Sequence, residues 1–290
     1  MGDSRIEALY EQVRAVVATA GDDASLELTE VAPGIRVLAL RTPTLPPAAH
    51  TNVYLVGPDH GPVAVIDPGS PYPDQQAILD AILRAIPIER VLLTHHHGDH
   101  IGGVAHLAAT WGAPIAAHAA TAKRLEGVLA IDELLDDGAE VSGTIAVHTP
   151  GHAEGHLVFE RGDVAIAGDM VAGLGTILID PDEGDMAAYL ASLERMRARD
   201  ERLLLPAHGP PIRDGAAKLT EYLSHRRMRE QRVIDALAGA PKTLAQLVET
   251  VYADTPRVLW GLAERSLLAH LAKLVREDRA RSVDGGLWSR

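Results

Sequence analysis

The sequence predicts a mixed α/β protein, an αβ/βα sandwich followed by a small winged-helix domain. Up to about residue 213, two halves each combine several apolar, strand-like runs with amphipathic helices, which is the pattern of two sheets packed between outer helices. From residue 216 the apolar positions recur at helical spacing, and the chain ends in two short strand-like runs about an Asp-Gly turn. Three helices followed by a hairpin predict a winged helix.

The charge distribution supports the same division. Residues 1–212 contain 13 basic and 30 acidic side chains, a net charge of −17, whereas residues 213–290 contain 14 and 10, a net charge of +4. Such an asymmetry is typical of two modules. We therefore predict a catalytic domain over residues 1–213 and a winged-helix-like domain over residues 214–290. The acidic first domain would repel polyanions unless local basic patches or bound cations compensate for its charge.

Within the first domain, the predicted elements alternate between strands and helices. An amphipathic surface helix is expected between residues 1 and 23, because apolar positions recur there at helical spacing. The rest of the first half is predicted to hold strands at residues 34–40, 52–57, 63–67 and 91–93 and helices at residues 74–86 and 104–112. The second half is predicted to hold strands near residue 115 and at residues 140–147, 157–160, 164–167 and 203–205, and a helix at residues 185–200.

The second domain is predicted from periodicity and capping. A long helix begins at residue 216 and ends at Gly239. Thr243 fits the N-cap of a helix over residues 244–252, and an apolar stripe predicts another helix over residues 259–275. The terminal segment, residues 280–290, is predicted to be a hairpin.

Composition limits both the compartment and the chemistry. With 47% hydrophobic and 23% charged residues, the chain is typical of soluble globular proteins. It contains no cysteine, which excludes disulfide bonds and thiolate metal ligands. The first helix lacks the basic start and unbroken apolar centre of a secretory signal, and no run of 18 apolar residues predicts a membrane span. We therefore expect a cytoplasmic protein without a membrane partner.

The strongest functional signal directly follows the apolar run at residues 91–93. The segment reads Thr94-His95-His96-His97-Gly98-Asp99-His100. If the strand ends at its first residue, the rest is a turn in which four side chains can converge on one point: His95, His97, Asp99 and His100. Imidazole and carboxylate groups together suit zinc, iron or manganese. The alternative, a turn held by ordinary hydrogen bonds, would bury charge without a partner at high cost.

Three later positions repeat this arrangement, in which a strand-like run ends at a potential ligand beside glycine or proline. They are His152, Asp169 and His208. Because loops on a rigid scaffold usually carry the chemistry of an enzyme, we expect these side chains to complete the site.

The ordered set His-x-His-x-Asp-His, His, Asp, His, in its strand-and-turn context, resembles the metallo-β-lactamase superfamily over about three quarters of the chain. The resemblance implies that superfamily's four-layer αβ/βα sandwich. It also implies two metal sites, which are His95, His97 and His152 for one ion and Asp99, His100 and His208 for the other, with Asp169 as the bridge. His96 corresponds to a variable position and is interpreted as structural. Asp67 corresponds to a carboxylate that orients a liganding histidine.

Segments around Asp169, Tyr189, His208 and His225 are similar to the β-lactamase-like protein 2 group. In that group a winged helix follows the catalytic domain, and the animal member is an endoribonuclease. The resemblance implies a hydrolase that uses a hydroxide bridging two divalent ions, with zinc as the first candidate and iron or manganese as alternatives. The implied substrates are a small-molecule ester or thioester, or a phosphodiester such as single-stranded RNA. A homodimer is compatible with the sequence.

Several side chains have candidate roles beside the ligands. Asp99 is expected both to bind a metal and to orient the hydroxide. His156 is either a proton donor to the leaving group or a packed loop residue, and the sequence leaves both interpretations open. A substrate pocket is the candidate role of Leu174, Gly175, Thr176 and Ile177, and a simple connecting loop is the alternative.

Two other functions are alternatives to the hydrolase. An oxidoreductase of the persulfide dioxygenase kind would use a single iron, whereas both ligand sets are complete in this sequence, which favours a dinuclear hydrolase. Nucleic-acid binding through the winged helix is the other, because one helix carries a cationic strip of Arg226, Arg227, Arg229 and Arg232. Such strips are more often solvated faces. We expect the module to pack over the edge of the active site or to mediate self-association.

Overall fold

The computed structural model describes residues 4–19, 26–199, 202–283 and 285–290. The helices in these ranges are α1 (Ser4–Val16), α2 (Pro73–Leu83), α3 (Gly98–Ile101), α4 (Val104–Trp111), α5 (Ala119–Arg124), α6 (Met186–Ala198), α7 (Gly215–Ala236), α8 (Leu244–Val251) and α9 (Trp260–Arg276). Three predicted elements extend beyond these ranges. The residues outside them are 1–3 and 20–23 of the predicted first helix, Asp200 of the helix predicted at residues 185–200, and Asp284 of the predicted hairpin turn.

Two sheets form the first domain. The first sheet contains β1 (Thr29–Ala32), β2 (Ile35–Arg41), β3 (His50–Val56), β4 (Val63–Ile66), β5 (Ile88–Leu92), β6 (Ile115–Ala117) and β7 (Glu133–Leu134), in chain order. Its first four strands pair antiparallel, and β4 to β7 pair parallel. The second sheet contains β8 (Glu140–Val141), β9 (Thr144–His148), β10 (Leu157–Arg161), β11 (Val164–Gly168) and β12 (Leu203–Pro206), with a parallel pair only between β11 and β12.

Three apolar layers hold these sheets and helices together. Between the two sheets, Tyr54 and Ile66 of the first sheet share a buried cluster with Phe159 of the second. Outside the first sheet, α2 and α4 bury Leu79 and Leu107 against it. Outside the second sheet, the third cluster joins it to α6 and α7. Strands such as β4 are buried along their whole length, as expected for strands covered on both faces. The predicted αβ/βα sandwich is confirmed.

The C-terminal part is a winged helix, as predicted. Helices α8 and α9 pack with a small sheet of β13 (Lys242–Thr243), β14 (Arg281–Val283) and β15 (Leu287–Ser289). Thr243 is the N-cap of α8, and its hydroxyl accepts a hydrogen bond from the backbone N–H of Gln246. The Gln246 side chain accepts one from the Thr243 N–H in return, which completes a capping box.

Helix α7 belongs to both cores. Its first half buries Leu219 and Leu223 in the cluster of the catalytic part, and its second half buries Val233 and Leu237 in the winged-helix cluster. One continuous helix of 22 residues therefore connects the two parts.

One predicted strand divides into two. Residues 140–147 were expected to form a single strand from their alternation, but β8 and β9 pair with each other through a tight turn at Ser142 and Gly143, with φ of 48° and 73°. Two consecutive positive φ angles give a type I′ hairpin, in which the apolar alternation continues across the turn and hides it from a periodicity search.

Among the described residues, no helix is long and apolar enough to cross a membrane.

Candidate metal centre

All of the predicted ligands meet at one edge of the sandwich. The segment from Thr94 to α3 follows β5 of the first sheet, and His152, Asp169 and His208 follow β9, β11 and β12 of the second. Glycine permits the close approach of these loops, because a Cβ atom on Gly69 would lie 1.8 Å from the backbone oxygen of Asp99. Both sheets thus deliver side chains into the same space.

The first group of ligands consists of three imidazoles. Nε2 of His152 lies 3.2 Å from Nε2 of His95 and 2.9 Å from Nδ1 of His97, and the latter two nitrogens are 2.9 Å apart. Nitrogens that bind one zinc ion at about 2.0–2.1 Å are separated by distances of this order. These three side chains have the geometry of one half of a metal centre.

The second group is centred on His208. Its Nε2 lies 3.5 Å from Oδ2 of Asp99 and 3.3 Å from Oδ1 of Asp169, and the ligand atoms of Asp99, His100 and His208 lie within 4.8 Å of one another. Asp169 connects the groups, because its Oδ1 also lies 3.6 Å from Nε2 of His100 while its Oδ2 lies 3.4 Å from Nε2 of His152. One carboxylate oxygen therefore faces each group.

The outward nitrogen of every one of these imidazoles donates to an acceptor in the protein, which fixes its tautomer. The outward bonds run from His95 to the hydroxyl of Thr94 (3.0 Å), from His97 to Glu183 (2.9 Å), from His100 to Asp67 (2.8 Å), from His152 to the carbonyl of Leu178 (2.9 Å) and from His208 to the carbonyl of His50 (3.0 Å). In its neutral form, each ring therefore carries its proton on the outward nitrogen and turns a lone pair inward.

Lone pairs that face each other at these distances repel. The ligand side chains therefore fit bound cations better than hydrogen bonds among themselves. Nε2 of His100 and Oδ1 of Asp169 are buried without a hydrogen-bond partner. Burial and the neighbouring imidazoles keep the pKa of His95 well below its usual value and lower the pKa of His152 to about 4, so both rings are neutral ligands at pH 7. Nitrogen and carboxylate donors without sulfur suit zinc, iron or manganese.

Asp67 orients the second group from behind. It sits directly after β4 with a φ of 49° and is 2% exposed. Its carboxylate accepts hydrogen bonds from the backbone N–H and the hydroxyl of Thr94 and from Nδ1 of His100. Burial alone would lower the pKa of His100, but Asp67 and Asp169 raise it to about 10, so a cation must displace a proton from this ring.

His156 does not have the geometry of a proton donor to a substrate. It is fully buried, its Nδ1 donates to the hydroxyl of Thr149, and its Nε2 accepts the backbone N–H of Asp169 at 3.1 Å. Burial keeps its pKa well below the usual value. Of the two interpretations open from sequence, the structure therefore favours a packed residue that positions the backbone of Asp169. Gly168 leaves room for this ring, because a Cβ there would lie 2.6 Å from Nε2 of His156.

Glu183 is a site residue that sequence reasoning missed. Its Oε2 accepts a hydrogen bond from His97 and lies 3.4 Å from Nε2 of His96, the motif residue interpreted as structural. These two imidazoles hold the pKa of Glu183 far below its usual value, so it is ionised. It lies in an irregular segment between β11 and α6, and the only nearby signal in the sequence is Asp185, which caps α6.

The same segment carries two acceptors that support the centre and is itself held by the C-terminal part. We call residues 177–185 the support loop. Its carbonyl at Leu178 and its carboxylate at Glu183 accept hydrogen bonds from ligand imidazoles. On the other side, Arg265 of α9 forms a bidentate pair with Asp180 at 2.8 and 2.6 Å, and Arg276 of α9 binds Asp185. The winged helix thus packs over the edge of the site, as the sequence suggested.

A cavity of about 750 Å³ opens in front of the ligands. Its walls include the four residues predicted to contact substrate, Leu174, Gly175, Thr176 and Ile177. The other walls come from α1, from the proline-rich loop at residues 43–48, and from α7 and α9. Sequence reasoning did not place α1 at the site.

Comparison with known proteins agrees with this architecture. The metallo-beta-lactamase superfamily profile matches residues 46–208, and the beta-lactamase associated winged helix domain profile matches residues 243–288. The chain therefore belongs to the metallo-β-lactamase superfamily and carries the winged helix associated with it.

Individual relatives cover most of the chain. A beta-lactamase-like protein 2 homolog of Drosophila melanogaster is 29% identical over 80% of this chain and 84% of its own length. The lactamase-like protein vrtG of Penicillium aethiopicum is 34% identical over 92% and 90%. An atrochrysone carboxyl ACP thioesterase of Passalora fulva is 31% identical over 71% of this chain and 64% of its own length.

Solved structures share the fold. A beta-lactamase domain protein from Burkholderia ambifaria superposes with a TM-score of 0.77 at 23% identity, over 96% of this chain and 98% of that one. The protein TTHA1623, solved in a di-iron-bound form, has a TM-score of 0.50 at 31% identity, over 60% of this chain and 94% of that one.

Proposed function

We propose that this protein is a dinuclear metal-dependent hydrolase that cleaves a small-molecule thioester or ester. The observation that carries the proposal is the position of Asp169, whose two carboxylate oxygens face different groups of ligands. A carboxylate placed in this way suits a bridge between two ions. In this proposal His95, His97 and His152 hold one ion and Asp99, His100 and His208 the other, and zinc is the first candidate.

When bound, two divalent ions supply an activated water molecule near neutral pH and polarise the substrate carbonyl. The chain itself keeps the five ligand imidazoles in the correct tautomer through acceptors such as Asp67 and Glu183. Asp99 lies at the edge of the cavity, within reach of both a ligand position and an attacking water. His156 holds the Asp169 backbone from behind the site. The apolar walls of the cavity exclude bulk water from the reacting carbonyl.

The lining of the cavity favours an acyl substrate over RNA. Apolar side chains form a large part of its wall, among them Leu45, Pro47, Leu174 and Ile177. The first domain is strongly acidic, which repels a polyanion. A relative that carries the name of an acyl carrier protein thioesterase supports the same substrate class.

The cationic strip predicted on α7 gives no support to nucleic-acid binding. Arg227 pairs with Glu194, and Arg229 and Arg232 pair with Asp254. On α9, Arg265 and Arg276 are engaged by the support loop. These side chains are already paired within the protein, so binding phosphates would require breaking ion pairs.

Metal analysis combined with a substrate panel tests the proposal. Protein reconstituted separately with zinc, iron and manganese is assayed for metal content and for hydrolysis of thioesters, esters and phosphodiesters. We expect two ions per chain and the highest kcat/KM with thioesters or esters. One iron per chain with oxygen consumption on a persulfide would instead establish the dioxygenase alternative. Cleavage of RNA alone would contradict the proposed substrate class.

A further inference from the structure

One arginine on α7 differs from its neighbours. Arg229 and Arg232 bind the carboxylate of Asp254 at 2.7 Å each, and Arg227 pairs with Glu194 on the outer surface. Arg226 lies on the face of α7 that lines the cavity. Within the described ranges of the chain, no carboxylate forms an ion pair with it.

The guanidinium of Arg226 is buried. The residue is 4% exposed, and its Nη2 donates to the backbone carbonyl of Ile177. Its guanidinium carbon lies 5.4 Å from the centre of the Tyr189 ring, and its Nε is buried without a hydrogen-bond partner. A carbonyl and an aromatic ring compensate only part of the hydration that a buried cation gives up. The site therefore has a permanent positive charge and an unused donor.

The cavity connects this charge to the metal centre. The same space is lined by the ligands Asp169 and His208, by Arg226 and by the apolar Leu174 and Leu262. A molecule that fills it has a reacting group at the ligands, an apolar middle and a group at the far end that meets a guanidinium. A planar guanidinium binds carboxylate and phosphate oxygens with paired hydrogen bonds.

We propose that Arg226 binds an oxoanion of the substrate, so that the enzyme selects thioesters or esters carrying a second, negatively charged group. This assignment rests on the proposed hydrolase function. The oxoanion has two chemical sources, which are a carboxylate at the far end of the acyl chain and the phosphate of a phosphopantetheine thiol arm. Arg226 would then set specificity at a distance from the bond that is cleaved.

Two matched substrate pairs separate the sources. In the first pair, an N-acetylcysteamine half-thioester of a dicarboxylic acid is compared with its methyl ester, over a series of increasing chain length. In the second pair, one neutral acyl group is carried on phosphopantetheine or on pantetheine. For one of the pairs, we expect the wild-type protein to favour the charged member by about tenfold or more in kcat/KM.

Variants at position 226 test whether this preference for the charged substrate depends on Arg226. Arg226→Met removes the charge and keeps an unbranched apolar stem, and we expect it to reduce the charged-to-neutral ratio to about one. Arg226→Lys keeps the charge but not the planar guanidinium, and it should retain part of the charged-to-neutral ratio. If Arg226→Met does not fold, Arg226→Lys is compared with the wild type instead. Arg227→Met, one position away on the outer surface, serves as the matched control and should retain the full ratio.

Calorimetric binding of the free dicarboxylic acid and of S-methyl phosphopantetheine to the metal-loaded protein gives a readout without turnover. We expect one of these anions to bind the wild type and the Arg227→Met variant but not Arg226→Met. If no thioester or ester is hydrolysed, the proposed function fails while calorimetry still decides the role of Arg226. Equal binding to wild type and Arg226→Met, no binding to either, or wild-type ratios near one in both pairs would overturn the inference.

Discussion

Asp169 is the side chain that joins the two groups of candidate ligands. Its backbone N–H is held by His156, and its carboxylate oxygens lie between the two groups of imidazoles. Nearby His208 and His100 outweigh the effect of burial and keep its pKa well below the usual value, so the carboxylate is available as a ligand over the whole physiological pH range.

The substitution Asp169→Asn tests the bridge. We expect the variant to retain at most one tightly bound ion and to lose turnover by at least about a hundredfold, because a neutral amide is a poor bridge between cations. Metal content by mass spectrometry and kcat measured on the same samples check this. Asp163→Asn, an exposed aspartate in the turn before β11, is the control. Two ions and undiminished turnover in Asp169→Asn would remove the basis of the dinuclear proposal.

Glu183 holds the candidate ligand His97 through a hydrogen bond. Replacing it by glutamine removes the charge that favours the outward proton on this ring, and we expect the affinity for the metal to fall about 10–100-fold. Competition with a chromogenic chelator measures the dissociation constant directly. The exposed Glu126→Gln serves as the control, and an unchanged affinity in Glu183→Gln would refute the orienting role.

The residues of the centre differ in how far sequence could predict them. The motif at residues 95–100 and the ligands His152, Asp169 and His208 were predicted because each follows an apolar strand-like run in a recognisable order. Glu183, the carbonyl of Leu178 and the environment of His156 depend on where an irregular loop runs in space. No local spacing encodes that path, which explains why Glu183 was missed and why the two roles of His156 could not be separated.

The support loop is the element through which the C-terminal part acts on the metal centre. The Arg265–Asp180 pair is largely buried, with side chains 18% and 11% exposed. We expect Arg265→Gln to weaken metal binding about tenfold and to lower the free energy of unfolding, because it frees the loop and leaves a buried carboxylate without its partner.

Two further variants separate these effects. The double variant Arg265→Gln with Asp180→Asn removes the unpaired charge, so its stability should recover while its metal affinity stays low. Arg257→Gln, an exposed arginine on the same domain, should change neither quantity. Chelator competition and chemical denaturation measure both. Metal affinity that recovers together with stability in the double variant would show that the loop has no positioning role.

Among the secondary-structure elements, those with explicit local signals were predicted best. Thr243 is the N-cap predicted for α8, whereas the hairpin at Ser142 and Gly143 was predicted to be one strand. The short helix α5 and the strand β7 lack a periodic pattern long enough to detect, and they are stabilised by the sheet beside them.

At the scale of the whole molecule, Glu230 links α7 to α9. Its carboxylate lies 2.7 Å from Nζ of Lys273 and 3.8 Å from Nδ1 of His270, and its side chain is 12% exposed. Burial alone would raise the pKa of Glu230, but His270 and Lys273 lower it to about 2. Because the folded-state pKa is below the ordinary value of 4.5, the pair stabilises the fold above about pH 4.5, and this contribution is lost as the pH falls toward 2.

We therefore expect Glu230→Gln to reduce the free energy of unfolding by about 1–3 kcal/mol at pH 7, with a difference from wild type that shrinks between pH 4.5 and 2. Urea denaturation across this pH range measures it. Glu221→Gln, an exposed position on the same helix that pairs with Lys218, should show a much smaller effect. A constant difference between pH 7 and pH 2 would contradict the linkage.

The sequence predicted the class of the overall architecture but not how its parts pack against each other. Strand and helix order along the chain indicated two sheets between helices, and the resemblance supplied their topology. The sequence left two positions open for the winged helix, over the edge of the active site or in self-association, because the choice depends on pairs such as Arg276 with Asp185 that join segments 91 residues apart. The boundary near residue 213 remains a prediction, since Leu219 and Leu223 beyond it pack into the catalytic core.

Helix α7 has one more consequence, for the way the molecule comes apart. Because the two halves of α7 are buried in different cores, unfolding of one core should also unfold the other. On heating, we therefore expect a single calorimetric transition rather than two. A chain shortened to residue 213 should aggregate, because it exposes the apolar cleft that α7 normally fills.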